Sequence, residues 1–189
     1  MFIMQEKENV VRILKETKQA IEKSDFIKIK SLSNQTINTA SLTQDPDNIT
    51  VAVVIYSIGK ILERENYKQL PSWDIFYKVV EVSLTNSIKD IEDNNEKKFR
   101  KDFELIQNAI GKLSGKLKQN IEYVFEKAKI NKASRLYEHG ISMEQTAKLL
   151  GISMYELAEY SGKTGISDVA ESKTIGVKDR IKIAMEIFG

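Results

Sequence analysis

The sequence predicts an all-α protein, and three observations carry that prediction. Two prolines and nine glycines in 189 residues suit long helices with short connections better than a turn-rich β fold. Apolar residues recur at steps of three and four along most of the chain, the repeat of a helix with one buried face. The β-branched cluster Thr50, Val51, Val53, Val54 and Ile55 has no partner strand elsewhere, and its apolar pattern runs on to Leu62. It too reads as helix.

The elements follow in order. Lys7–Ser24 is amphipathic, with Val10, Val11, Leu14 and Ile21 at roughly helical spacing. Asp25 starts a second helix through Ile29, Leu32, Ile37 and Ala40, which ends before Gln44-Asp45-Pro46-Asp47, a turn followed by an N-cap. The third helix, about Ile49–Asn66, is apolar on most faces and therefore the most buried. Leu70-Pro71-Ser72 breaks the chain and caps a fourth helix containing Trp73, Phe76, Val79, Val80 and Leu84, and Asp93-Asn94-Asn95 breaks it again. Phe99, Phe103, Ile106, Ile110, Leu113, Leu117, Ile121, Val124 and Ala128 then keep one phase across Gly111 and Gly115. That phase predicts one long helix or two nearly collinear ones. The organisation expected is an N-terminal helical bundle (1–93), a long basic connecting helix (94–130) that packs on the bundle or dimerises, and a C-terminal helix-turn-helix domain (131–189).

Composition excludes several functions. Without cysteine there is neither a disulfide frame nor a thiolate metal site, and His139 alone cannot build a histidine-rich one, so no cofactor is expected. The longest apolar run, Val51–Leu62, is too short for a membrane span, which needs about twenty residues. The N-terminus lacks the sections of a signal peptide, so a cytoplasmic location is expected. Charge is uneven. Between Lys97 and Arg135 stand eleven basic residues against four acids, an excess of seven in a chain whose net charge is +2. Such a run is either a footprint for phosphates or a solvated helix face.

The most specific signal is Ile141–Gly162. Ser142 followed by Gln145, and Ser153 followed by Glu156, form two consecutive capping boxes, with Ile141 and Ile152 as staple residues just outside them. Gly151 supplies the left-handed turn between the two short helices, and Ala147 is small where they cross. Leu150, Ile152, Leu157 and Tyr160 fill the core. This is a helix-turn-helix pattern. Its second helix would present Ser153, Met154, Tyr155, Ala158, Glu159 and Gly162 outward. That face lacks Arg, Asn and Gln, the usual readers of purine edges. Phosphate contacts are expected from Lys148 and Lys163, from Lys132 and Arg135 just upstream, and from Lys173, Lys178, Arg180 and Lys182 downstream. Ser142 and Gln145, at the start of the first short helix, complete the expected nucleic-acid face. A closing helix from about Val177, with Ile181, Ala184, Met185 and Phe188 on one face, either seals the core or inserts into a partner.

Ala133-Ser134-Arg135-Leu136-Tyr137-Glu138-His139-Gly140, followed by this motif, resembles short prokaryotic regulators and antitoxins over about residues 130–165. In that pattern a helix reading A-x-x-L-Y-x-x-G precedes I-S-x-x-x-A-x-L-L-G-I-S-x-x-E-L. The resemblance implies binding to DNA, with several such antitoxins also partnering PIN-domain ribonucleases. The expected function is thus a nucleic-acid-binding regulator, not an enzyme, with DNA or RNA, a protein partner and a homodimer as its possible associations. The alternative is an adaptor or antitoxin-like partner of another protein.

Two other constellations carry no chemistry. Gly162-Lys163-Thr164-Gly165 lacks the upstream glycine of a phosphate loop, since Leu157 stands there. Arg135-x3-His139 has a shorter spacing than the Arg-x(4–6)-His motif of HEPN-type ribonucleases, and His139 reads as structural or surface. Ser31–Ala40, rich in small polar residues, lines either a polar groove or a hydrogen-bonded helix–helix interface.

Overall fold

A computed structural model of the protein describes residues 6–113 and 115–164. Among them, eight α-helices and one short 3-10 turn follow one another without a strand. No helix of these residues is long and apolar enough to cross a membrane.

α1 (Lys7–Glu22) buries Val10, Ile13, Leu14 and Ala20 on one face. The chain turns where Ser24 takes φ 53°, and the Asp25 carboxylate caps α2 (Phe26–Thr43) by accepting from Lys28 N at 2.9 Å. Gln44 ends α2, and Asp45 caps α3 (Pro46–Leu62) by accepting from Asp47 N at 2.8 Å. Pro46 occupies the first helical position, where its missing N–H has no partner to lose. α3 therefore begins earlier than its apolar pattern indicates. It also ends earlier than Asn66, because Glu65–Tyr67 forms the 3-10 turn. α3 is the axis of the fold, with α1, α2, α5, α6 and α7 packed around it.

α4 (Trp73–Glu92) starts beside Ser72, but the serine side chain makes no capping bond, contrary to the expectation that it caps the helix. With φ 69° at Ser72, the helix opens instead through Phe76 N donating to Ser72 O at 3.1 Å. Asn94 (φ 56°) turns the chain, and Asn95 Oδ1 accepts from Lys98 N at 3.2 Å at the start of α5 (Glu96–Lys112).

The long connecting helix expected over 94–130 is not continuous. α5 stops at Lys112 and α6 (Gly115–Glu138) starts at Gly115. Gly115 has φ +60°, a conformation that costs glycine nothing, and no atom lies within 4 Å of where a Cβ would stand. Backbone geometry, not crowding, places glycine there. α5 lies along α4, while α6 lies along α3 and α2, so the two halves of the basic run have different neighbours. The apolar phase persists because Phe99, Phe103 and Ile106 on α5 and Leu117, Ile121 and Val124 on α6 all face one core.

α7 (Met143–Leu150) and α8 (Met154–Thr164) follow α6. They are seated on a second apolar cluster in which Ile141, Leu150 and Leu157 meet Ala133 and Leu136 of α6, Ile37 and Ala40 of α2, and Ile49 and Val53 of α3. The C-terminal pair is thereby anchored to the first helices of the chain. The closing helix expected from Val177 lies outside the described residues.

Candidate nucleic-acid interface

The α7–α8 pair is built by local chemistry. Ser142 Oγ accepts from Gln145 N at 3.2 Å and starts α7. Gly151 (φ 63°) ends it, its N–H donating to Ala147 O, while Ile152 N also donates to Ala147 O at 3.1 Å. A reciprocal capping box then starts α8. Glu156 N donates to Ser153 Oγ at 3.1 Å, and Glu156 Oε2 accepts from Ser153 N at 2.9 Å and Ser153 Oγ at 2.7 Å. These bonds to the Ser153 side chain and then its backbone hold the Glu156 carboxyl below its ordinary range, with Lys129 and Lys127 adding smaller contributions. Leu157 is buried and Tyr160 half-buried on the inner face of α8.

The outer face of α8 is open. Met154 is 53% and Tyr155 76% exposed, and Ser153, Ala158, Glu159 and Gly162 are exposed beside them. Ser142, Gln145 and Lys148 on α7, and Arg135 at the end of α6, are exposed too. Arg135 pairs with Glu138 at 3.5 Å. Lys163 belongs to α8, but its side chain lies outside what the structure describes, as do Lys173, Lys178, Arg180 and Lys182.

Lys132 corrects the expectation that it meets phosphate. Its side chain is 0% exposed, with Nζ donating to Asn34 Oδ1 at 2.8 Å and standing 4.3 Å from the Tyr56 ring centre. It falls on the α6 face that packs against α2 and α3, so it cannot reach a ligand on α7 or α8. Burial first, then the nearby Arg135 charge, pushes its pKa down to about 7. The small polar residues of α2 serve the same contact. Asn34 holds Lys132, Asn38 Oδ1 lies 2.9 Å from His139 Nε2, and Ser33 Oγ donates to Ala52 O at 2.7 Å. Of the two readings of Ser31–Ala40, the structure has the hydrogen-bonded interface, and His139 helps to build it.

The remaining basic residues between Lys97 and Arg135 do not form one continuous face. Arg100 makes a two-pronged pair with Asp47, Nε and Nη2 lying 3.0 Å and 2.7 Å from Oδ2 and Nε 3.0 Å from Oδ1. Lys129 pairs with Glu126 at 2.9 Å, and Lys118 with Glu122 at 3.9 Å. Lys97, Lys98 and Lys101 are exposed on α5, which lies chiefly along α4.

One group of cations does converge, and sequence reasoning missed it. Tyr56, Lys60 and Arg64 from α3 and the turn after it face Tyr123, Lys127 and Asn131 of α6 across a cavity of about 280 Å³, closed at one side by Tyr160 of α8. Lys60 Nζ lies 5.9 Å from the Tyr56 ring centre, and Lys127 Nζ 5.5 Å from that of Tyr123. Burial, then Tyr160, pushes the Tyr56 hydroxyl pKa up. The signal was present in the chain. Tyr-x3-Lys-x3-Arg at 56–64 and Tyr-x3-Lys-x3-Asn at 123–131 are two parallel stripes at one-turn spacing. Nothing in either stripe alone says that they face each other.

Comparison of the chain with protein-family models, with curated proteins and with solved structures finds no match.

Proposed function

We propose that the protein is a nucleic-acid-binding regulatory protein in which α7 and α8 act as a helix-turn-helix. The observation that carries this reading is the placement of α8. Leu157 anchors its inner side, while Ser153, Met154, Tyr155 and Ala158 are exposed on the outer side, the side that enters a groove. Exposed Lys148 on α7 and Arg135 on α6 supply phosphate contacts, which fix position without reading bases. With no Arg, Asn or Gln on the outer face, sequence preference is modest, and Tyr155 and Met154 contact bases chiefly through apolar surface. A short labelled duplex DNA titrated with the full chain tests this. Lys148→Glu weakens binding on the order of tenfold, and Tyr155→Ala weakens it while leaving the melting temperature unchanged. Duplex binding indifferent to both substitutions would falsify the assignment of α8.

A second reading is favoured by the apolar exposure of Met154 and Tyr155. These residues, with Glu159 beside them, also suit a partner protein of antitoxin or adaptor type. Nuclease-treated affinity purification separates the two. One stoichiometric protein, lost on Tyr155→Ala, supports docking, and its absence removes that reading.

A further inference from the structure

The cavity between α3, α6 and α8 is separate from the outer face of α8 and has a chemistry of its own. Among the described residues, three tyrosines (Tyr56, Tyr123, Tyr160) and three cations (Lys60, Arg64, Lys127) line it, and no carboxylate does. Three other cavities each carry at least one acid: Asp74 in one, Asp47 and Glu104 in another, Glu22 and Glu81 in a third. The nearest carboxylate to its cations is that of Glu63, 3.7 Å from Lys60 Nζ and held mainly by Lys30 at 2.8 Å. Lys132 Nζ stands 4.3 Å and Lys60 Nζ 5.9 Å from the Tyr56 ring centre.

We infer that this groove is a site for one unstacked nucleotide, its base on the tyrosine rings and its phosphate on Lys60, Arg64 and Lys127. Each feature answers a part of that ligand. Aromatic faces stack any base, flanking cations track the phosphate, and the Asn131 amide, whose Nδ2 donates to Tyr160 Oη at 3.5 Å, keeps its oxygen as an acceptor for a base edge. Duplex does not fit the chemistry, because its base faces are covered by neighbouring pairs. About 280 Å³ is close to the lower end of ligand pockets, roughly 300–1,000 Å³, and admits one base with its sugar and phosphate towards the mouth. The nucleotide belongs to a single strand or is free in solution, and the chemistry is the same.

The test is fluorescence anisotropy of the full chain with a labelled single strand of about eight thymidines, competed by thymidine monophosphate, by thymidine and by inorganic phosphate. The strand binds, and the monophosphate competes on the order of tenfold better than the nucleoside or phosphate alone. Tyr123→Ala and Lys127→Gln each weaken binding on the order of tenfold, the scale of one stack or one phosphate contact, whereas Lys97→Gln on α5 does not. Tyr123 is 57% exposed and Lys127 is exposed, so both variants fold. Tyr123→Leu, which keeps apolar bulk and removes the ring, is the second variant should the alanine one aggregate. Strand binding well above monophosphate binding points to a single strand, and equal binding points to a free nucleotide; both support the site. Binding of neither probe, or binding unchanged by both Tyr123→Ala and Lys127→Gln, overturns it. The duplex experiment uses another probe and depends on Lys148 and Tyr155, so either result stands without the other.

Discussion

The ammonium of Lys132 is taken out of water by Tyr56 and held through Asn34, and among the described residues no carboxylate pairs with it. An uncompensated buried cation destabilises the native state whenever it is protonated. With its folded pKa lowered from 10.5 to about 7, the unfolded chain binds the extra proton between those values. Stability attributable to Lys132 therefore rises with pH from about 7 towards 10.5 and is at its lowest below 7. Thermal melts of wild type and Lys132→Met across that range check this. The variant is at least as stable as wild type at pH about 6, and its relative advantage shrinks as pH rises. A constant difference between the two proteins contradicts the assignment. Asp102 has the opposite sign. Only 7% exposed, it is pushed up from 3.8 to about 6 by burial first and then by Asp90, so its contribution is fully present below 3.8 and is lost as pH rises through 6. Asp102→Asn removes that penalty and stabilises the protein at pH 7, read from denaturant unfolding. Neutral or negative change there contradicts the penalty assigned to the buried Asp102 charge.

Between elements, α2 and α3 approach closely at Gly59, where an added Cβ would meet Ile29 Cγ2 at 2.8 Å and Ile29 Cβ at 3.4 Å. Ile29 is β-branched and fully buried, so it yields little. Gly59→Ala gains helix propensity of about 1 kcal/mol but overpacks the α2–α3 contact, and the net loss is about 1–2 kcal/mol. Chemical denaturation of the variant checks the sign; a more stable Gly59→Ala means α2 and α3 separate more readily than their packing implies. What was legible at this scale is what depends on neighbours in sequence. Asp25, Asp45-Pro46, Gly151 and the Ser153–Glu156 box act within one helical turn, and their roles follow from the residues themselves. Across Gly111 and Gly115 the sequence reads equally as one helix or two, because a buried face keeps its phase whether the helix continues or turns onto a new partner. For the same reason, Lys132 reads as one more cation of a basic run until α2 and α3 are placed against it.

Across the whole molecule, burial and ion pairing divide the positive charge. Arg100 is committed to Asp47, and Lys132 to the interior. Among the described residues, the tyrosine–cation groove and the α7–α8 face are where the proposed base contacts have cations on the same elements. The outer face of α8 was legible because caps and a glycine turn define a helix pair from sequence alone, whereas the groove needs α3, α6 and α8 together. Both sites share the buried framework of α3 and α6, so substitutions in the second core cluster, Ile49 or Leu136 to Ala, lower stability without telling the two apart. Surface substitutions are the informative ones.

The most direct measurement is the salt dependence of duplex DNA binding by the full chain. With a few phosphate contacts from the region of Lys148 and Arg135, the logarithm of the binding constant falls linearly with the logarithm of salt, with a slope of roughly −2 to −4. Affinity that is flat in salt, or no binding at about 50 mM, contradicts the nucleic-acid role of α7 and α8.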